Sequence, residues 1–232
     1  MKFGVITFPG SNCDHDMIYA LEQILEQEVI NLWHKRTDID QVDAIVLPGG
    51  FSYGDYLRSG AIAKFSPIMG EVIRFANKGG LVFGICNGFQ ILCESGLLPG
   101  ALLHNQNQKF ICKNTYIKPA NFHSPLTNGI PNVPLKIPIA HAEGRFFISQ
   151  DGLKALQDNN QIVFQYCDME GNISNESNPN GSILNIAGVS NITGNVIGMM
   201  PHPERAIDAS LKNTDGLRLF RALIQNQVDI YV

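Results

Sequence analysis

Charge is scarce in this sequence: 16% of its 232 residues are Asp, Glu, Lys or Arg, and no run of Lys or Arg occurs anywhere. With a formal net charge of -4 there is no basic face of the kind that neutralises phosphates, which excludes nucleic acid and favours a small-molecule substrate. Five cysteines, at 13, 86, 93, 112 and 167, are an odd number without a C-x-x-C pair. Neither a disulfide framework nor a zinc cage is expected, and a reducing, cytoplasmic setting is. Long apolar runs are also missing: the opening run ends at Pro9-Gly10, too early for a signal peptide or a membrane helix, so no membrane partner is expected. No G-x-x-x-x-G-K-[ST] phosphate loop is present, so this chain should not activate an acceptor with ATP itself.

Hydrophobic residues make up 44% of the chain, enough for one sizeable core, and no linker, repeat or low-complexity segment divides it; residues 1–232 read as a single domain. The first half alternates short apolar runs with helical patterns, the signature of βαβ units around a parallel sheet. Strands are expected at Phe3 to Phe8, Val29 to Trp33, Ala44 to Leu47 and Leu81 to Ile85. Between them lie a helix through Met17, Leu21 and Leu25, capped at Ser11 or Asn12, and one through Ile68 and Val72 that ends at Gly79-Gly80. Beyond about Gly96, strand-like stretches at 110–117, 135–139, 162–166 and 183–189 are separated by Pro-, Asn- and Gly-rich turns and predict antiparallel and mixed strands. A strand at 196–200 and a helix at 215–224 complete an α/β fold with a central, mostly parallel sheet flanked by helices.

The segment Gly84-Ile85-Cys86-Asn87-Gly88-Phe89-Gln90 places a cysteine where a buried strand turns into a helix. A nucleophile lifted on such a turn crowds its neighbours, and only residues without a Cβ tolerate the approach. The helix N-terminus pointing at Cys86 favours the thiolate. On its own the pattern equally fits a buried packing cysteine. A thiolate nucleophile needs a histidine to hold and return its proton, and that histidine needs an orienting group. Pro201-His202-Pro203-Glu204 supplies both, since residues two apart in an extended segment project to one side. His141, with Glu143 two residues on, is the competitor.

A thioester route also requires two N–H donors for its tetrahedral oxyanion. Asn87 follows the nucleophile, and the loop Leu47-Pro48-Gly49-Gly50-Phe51 can bring backbone close enough to supply the second. A P-G-G loop, a G-x-C-x-G-x-Q elbow and a late H-P-E, in that order, resemble the class I (triad) glutamine amidotransferases, whose fold is flavodoxin-like. Within them the chain is similar to the separate-subunit glutaminases of the purine-pathway enzyme that converts formylglycinamide ribonucleotide to formylglycinamidine ribonucleotide. The segments that carry this are 48–58, 141–146, 178–182 and 198–205, and the opening 8–14, so the resemblance spans essentially the whole length.

The resemblance implies Cys86 as nucleophile, His202 as general base and acid, Glu204 as its orienter, and Gly50 and Asn87 as oxyanion donors. It places contacts to L-glutamine at Gly49, Phe51, Gln90 and Asn105, although Asn107 and Lys109 stand where the family usually has Ser and Arg. It implies no cofactor or metal in this chain, a large synthetase partner that uses ATP and Mg, and a small accessory subunit. The partner is expected to dock by Phe51, Tyr53 and Tyr56 and to switch on the Gly49 to Gly54 loop. An amidotransferase of another pathway would share the chemistry and differ only in the acceptor. A redox sensor or binding module would need a reactive Cys86 but neither His202, Glu204 nor Gln90.

Overall fold

Apolar runs with no polar alternation belong to strands covered on both faces, whereas alternating runs belong to strands with one wet face. Both kinds occur in this chain, in different places. The computed structural model describes residues 1–228. Strands β1 (Lys2–Thr7), β2 (Glu28–Trp33), β3 (Ala44–Leu47) and β4 (Leu81–Ile85) alternate with helices α1 (Asp14–Tyr19), α2 (Pro67–Asn77) and α3 (Asn87–Glu94). There follow β5 (Ala101–Leu103), β6 (Ile111–Pro119), β7 (Leu135–His141), β8 (Arg145–Phe147), α4 (Gln150–Asp158), β9 (Ile162–Cys167), β10 (Ile186–Ser190), β11 (Val196–Met199) and α5 (Asp215–Val228).

Backbone contacts group the chain into two compact units. One comprises Met1–Pro99 and Asn195–Gly198; the other comprises Gly100–Gly194 and the chain from Met199 onward. In the first unit the strands run in the order β2-β1-β3-β4-β11, with β1 parallel to β2 and β3, and β3 parallel to β4. Every residue of β3 and β4 is buried, as the unbroken apolar runs predict. Edge strand β2 buries only Leu32. Helix α1 packs on β1, α2 on β4, and α3 on both β3 and β4. Because β1, β3 and β4 are parallel, the loops after Thr7, Leu47 and Ile85 emerge at the same sheet edge, the usual place for a site in an α/β fold. A Ser11–Gly50 bridge joins the first two of those loops.

In the second unit the order is β10-β9-β6-β7 with antiparallel neighbours, and β5 pairs antiparallel with β8. Strand β7 alternates buried and half-wet positions, and α5 packs against it. The additional antiparallel strands expected of the second half are thus present.

Three details depart from the sequence expectation. Helix α1 starts behind Cys13, without a side-chain cap at Ser11 or Asn12, and runs into a π-helical turn at Ala20–Ile24. Residues 183–185 form a 3₁₀ turn in which Leu184 has φ +48°, so the strand begins only at Ile186. Helix α4, unforeseen, is a short amphipathic segment: Ser149 Oγ accepts the Gly152 N–H, and only Leu153 and Leu156 are buried.

A close backbone approach in the first unit lies between α3 and the end of β3. A Cβ on Gly88 would stand 1.9 Å from the Leu47 carbonyl oxygen, and one on Gly84 would stand 2.5 Å from Leu92 Cδ1 and 2.8 Å from the Gly88 carbonyl. Backbone cannot yield to a methyl there without moving the helix. Gly88→Ala should therefore lower stability by about 2–3 kcal/mol, at the upper end of overpacking costs, read as a fall in the urea midpoint at constant slope. An unchanged midpoint would show that the helix has room to shift.

Candidate active site

The first unit carries Cys86, the candidate nucleophile. Cys86 follows β4 and is the N-cap residue of α3, with φ +51° and ψ -104°, and is 5% exposed. A non-glycine residue held there stores strain on the order of 1–3 kcal/mol, which the glycines on either side and the buried strand enforce. Cys86 ends a strand of the parallel sheet and starts a helix whose free N–H groups point toward it. Cys93 and Cys167 are placed differently. Burial pushes the Cys93 thiol far above its usual range, and burial raises that of Cys167 to about 11, so neither yields a thiolate near neutrality.

Asn87 binds the loop after β3 to the elbow. Its Oδ1 accepts the Ser52 N–H at 3.2 Å, and its Nδ2 donates to Gln90 Oε1 at 2.9 Å and to Asp55 Oδ1 at 3.4 Å. Ser52, Asp55, Asn87 and Gln90 therefore form one hydrogen-bonded set next to Cys86, and Gly49, Gly50 and Phe51 immediately precede Ser52 in the chain. Gly50 has φ +136°, and a Cβ there would meet the Asn12 backbone nitrogen at 2.8 Å. Around it the loop's donors are committed: Phe51 N–H to Gly10 O, Tyr53 N–H to Pro9 O and Gly54 N–H to Phe51 O. Phe51, Tyr56 and Leu57 are exposed, the last two at 74% and 92%. Tyr53 differs from the docking role expected of it, because its hydroxyl turns inward onto His34 and Ser66. Ser52, Asp55, His34 and Ser66 were not legible as site residues, since only the folded loop brings them together.

The second unit carries the candidate bases. His202 Nδ1–H donates to Glu204 Oε1 at 2.6 Å, with both side chains buried. A base role for this ring would therefore use Nε2. The His202 N–H is held by the Pro138 carbonyl at 2.8 Å. The route to this geometry is not the extended segment the sequence suggests. Glu204 lies in a 3₁₀ turn, Pro203–Arg205, closed by Arg205 N–H on His202 O and Ala206 N–H on Pro203 O.

His141 has a different environment. Asn105, fully buried, donates through Nδ2 to the Lys109 and His141 carbonyls, both at 2.8 Å, which fixes its amide orientation. Its Oδ1 accepts from Gly144 N–H and from His141 Nδ1–H at 3.0 Å. Burial, and secondarily the nearby His202, lower the His141 pKa to about 4. The carboxylate expected to orient it is elsewhere: Glu143 pairs with His104 at 3.4 Å, and Gly144 lies against the His141 ring. Asn105, expected to touch substrate, spends its amide on the protein's own backbone and on His141.

His202→Ala should cost on the order of 10³–10⁴ in glutaminase turnover, Glu204→Gln on the order of 10², and His141→Asn less than about tenfold. A larger loss for His141→Asn would move the base. A second expectation concerns pH: the folded state depresses the His141 pKa below its unfolded value, so the unfolded chain binds the proton first. That contribution to stability is complete above about pH 6.5 and is lost as pH falls toward 4, on the order of 1–3 kcal/mol. Urea midpoints of wild type and His141→Asn, compared at pH 7 and pH 4.5, should converge at the lower pH; a gap that stays constant would contradict the buried neutral imidazole.

Comparison with known proteins gives the family. Residues 1–225 match the family model of the CobB/CobQ-like glutamine amidotransferase domain. The phosphoribosylformylglycinamidine synthase subunit PurQ of Chlorobium chlorochromatii is 55% identical over 224 residues, 96% of this chain and 96% of its own length. That of Salinibacter ruber is 49% identical over 230 residues, covering 99% and 97%. Among solved structures, a chain of PurLQS from Thermotoga maritima superposes with a TM-score of 0.84 at 41% identity, covering 97% of this chain and 98% of that one. A glutamine amidotransferase from Thermotoga maritima shares the fold alone, at 16% identity and a TM-score of 0.56, with 98% and 92% covered. The chain belongs to the glutamine amidotransferase family.

Proposed function

We propose that this chain is the glutaminase subunit of a phosphoribosylformylglycinamidine synthase. The observation that carries the reading is the strained Cys86 between two glycines with no room for a side chain, followed by an Asn87 that ties the glycine loop to the elbow. Full-length identity near 50% to PurQ subunits supplies the acceptor chemistry.

In this reading the Cys86 thiolate attacks the side-chain amide carbon of L-glutamine, and the N–H groups of Gly50 and Asn87 receive the oxyanion. His202 Nε2 protonates the departing nitrogen, so ammonia leaves and a γ-glutamyl thioester remains. Water, deprotonated by the same nitrogen, then opens the thioester to glutamate and restores the thiol. Glu204 keeps the imidazole in the tautomer this needs and stabilises its cation. Gly49, Phe51 and Gln90 line the substrate, while Asn105 supports the site through the loop it holds. A sensor would have no use for a buried imidazole–carboxylate pair.

Ammonia passes to a large synthetase subunit, which uses ATP and Mg to convert formylglycinamide ribonucleotide to formylglycinamidine ribonucleotide, and a small accessory subunit bridges the two. The exposed Phe51, Tyr56 and Leu57 next to the glycine loop suit a docking partner. Partner contact there sets the Gly50 peptide and so couples glutamine hydrolysis to synthesis.

Cys86→Ala should abolish glutamine-dependent synthesis by the assembled enzyme, a loss on the order of 10⁴ or more, while synthesis from added ammonia stays within about twofold. Loss of both activities would refute the division of labour. Coupling is read by glutamine hydrolysis with and without the synthetase subunits and their nucleotides: the free chain should be slower by on the order of 10²–10³, the worth of one oxyanion donor. Equal rates would exclude the switch.

A further inference from the structure

The loop after β3 adopts a backbone that its sequence does not favour. Tyr53, Gly54 and Asp55 are consecutive residues in the left-handed region, with φ of +55°, +67° and +54°, and Leu57 follows at +70°. For tyrosine, aspartate and leucine this conformation is unfavourable and persists only where the surroundings impose it. Asp55 is linked to the elbow through Asn87 Nδ2. What imposes the conformation at Tyr53 is a cluster outside the residues assigned to the reaction.

The Tyr53 hydroxyl lies 2.7 Å from His34 Nδ1 and 2.8 Å from Ser66 Oγ, and the His34 and Tyr53 rings meet edge to face at 5.6 Å. Both anchors are buried and held by backbone. His34 directly follows β2, its N–H bonded to Thr7 O and its carbonyl accepting from Ile68 N–H; Ser66 precedes α2, its N–H bonded to Ala63 O. Trp33 packs edge-on against the His34 ring. The phenol is thus pinned to two rigid elements of the parallel sheet layer. On the same loop, one residue earlier, the Ser52 N–H is held by Asn87 Oδ1. The two residues that follow Phe51 are thus held from different sides, Ser52 by the residue after Cys86 and Tyr53 by the His34–Ser66 pair, while the Phe51 and Tyr53 N–H groups are bonded to Gly10 O and Pro9 O.

We infer that Tyr53, His34 and Ser66 form a latch that sets the position of the glycine-loop N–H donors, making Tyr53 a positioning residue for thioester formation. The inference rests on the glutaminase reading. Donors that meet an oxyanion contribute to the transition state and little to ground-state binding, so a loosened latch lowers kcat and leaves KM almost unchanged. A side chain that only filled space would affect stability, or both constants, instead.

The experiment uses the assembled enzyme. Tyr53→Phe keeps the ring and removes the hydroxyl; kcat for glutamine should fall about 10–100-fold, within the range for an impaired oxyanion donor, with KM changed less than about threefold. Alkylation of Cys86 by iodoacetamide, which needs no oxyanion donors, should proceed at the wild-type rate, as should synthesis from ammonia. His34→Leu should resemble Tyr53→Phe, His34→Gln, which retains a hydrogen-bonding group, should recover most of the rate, and the Tyr53→Phe/His34→Leu double variant should be no slower than the worse single one. Ser66→Ala, the mildest change, should lower kcat in the same direction if the larger variants fold poorly. A wild-type kcat in Tyr53→Phe and Ser66→Ala, fully additive losses, or losses that follow the unfolded fraction would overturn the latch. Absence of glutamine hydrolysis in the wild-type assembly would instead refute the glutaminase reading.

Discussion

The contact between α3 and the carbonyl end of β3 is the constraint on which the rest depends. With the Gly88 Cα pressed against Leu47 O, the helix must begin immediately after β4, leaving a single residue, Cys86, to make the turn. That residue takes a φ of +51° in making the turn. The same closeness puts Asn87 within reach of the loop that leaves β3, so Cys86 and the glycine loop are located by one packing contact. The geometry of the candidate site is a by-product of tight helix–strand packing, stabilised by a buried apolar sheet that tolerates local strain.

Steric requirements of this kind are written into sequence, which is why the elbow is legible there. Glycines at 84 and 88 and unbroken apolar runs at 44–47 and 81–85 admit few alternatives. Helix α4 is not legible, because two buried leucines and a serine cap are too little periodicity to rise above a turn. Strands β5 and β8 are three residues each and exist through pairing with one another, a tertiary fact. The first-helix cap departs from expectation for a related reason: the chain is bridged to Gly50 at Ser11 and turns into the helix only at Asp14, so Cys13 occupies the cap position and Ser11 lies two residues upstream of it.

The two His-x-Glu segments show where local sequence stops being informative. His141-Ala142-Glu143 and His202-Pro203-Glu204 have the same spacing, yet only the second folds into an imidazole–carboxylate pair. The prolines matter, but through a 3₁₀ turn that brings Glu204 back to the ring, not through an extended chain. At His141 the carboxylate is drawn off to His104, and a buried amide takes its place at Nδ1. An amide orients the ring as well as a carboxylate does but supplies no charge to support an imidazolium, and burial then holds the imidazole neutral. Tyr53 is a further case: in the sequence it is one aromatic among several in a loop, and only its two buried partners separate it from the exposed Tyr56.

Passage of glutamine's acyl group through Cys86 is tested most directly by quenching the working assembly in acid during turnover of labelled glutamine and mapping the bound label by peptide mass spectrometry. The expected result is a γ-glutamyl adduct confined to the peptide that carries Cys86, with greater occupancy in Glu204→Gln if thioester hydrolysis is slowed more than its formation. An adduct on Cys13, Cys93, Cys112 or Cys167 in place of Cys86, or full turnover with no label bound at position 86 in a Cys86→Ser protein, would contradict it.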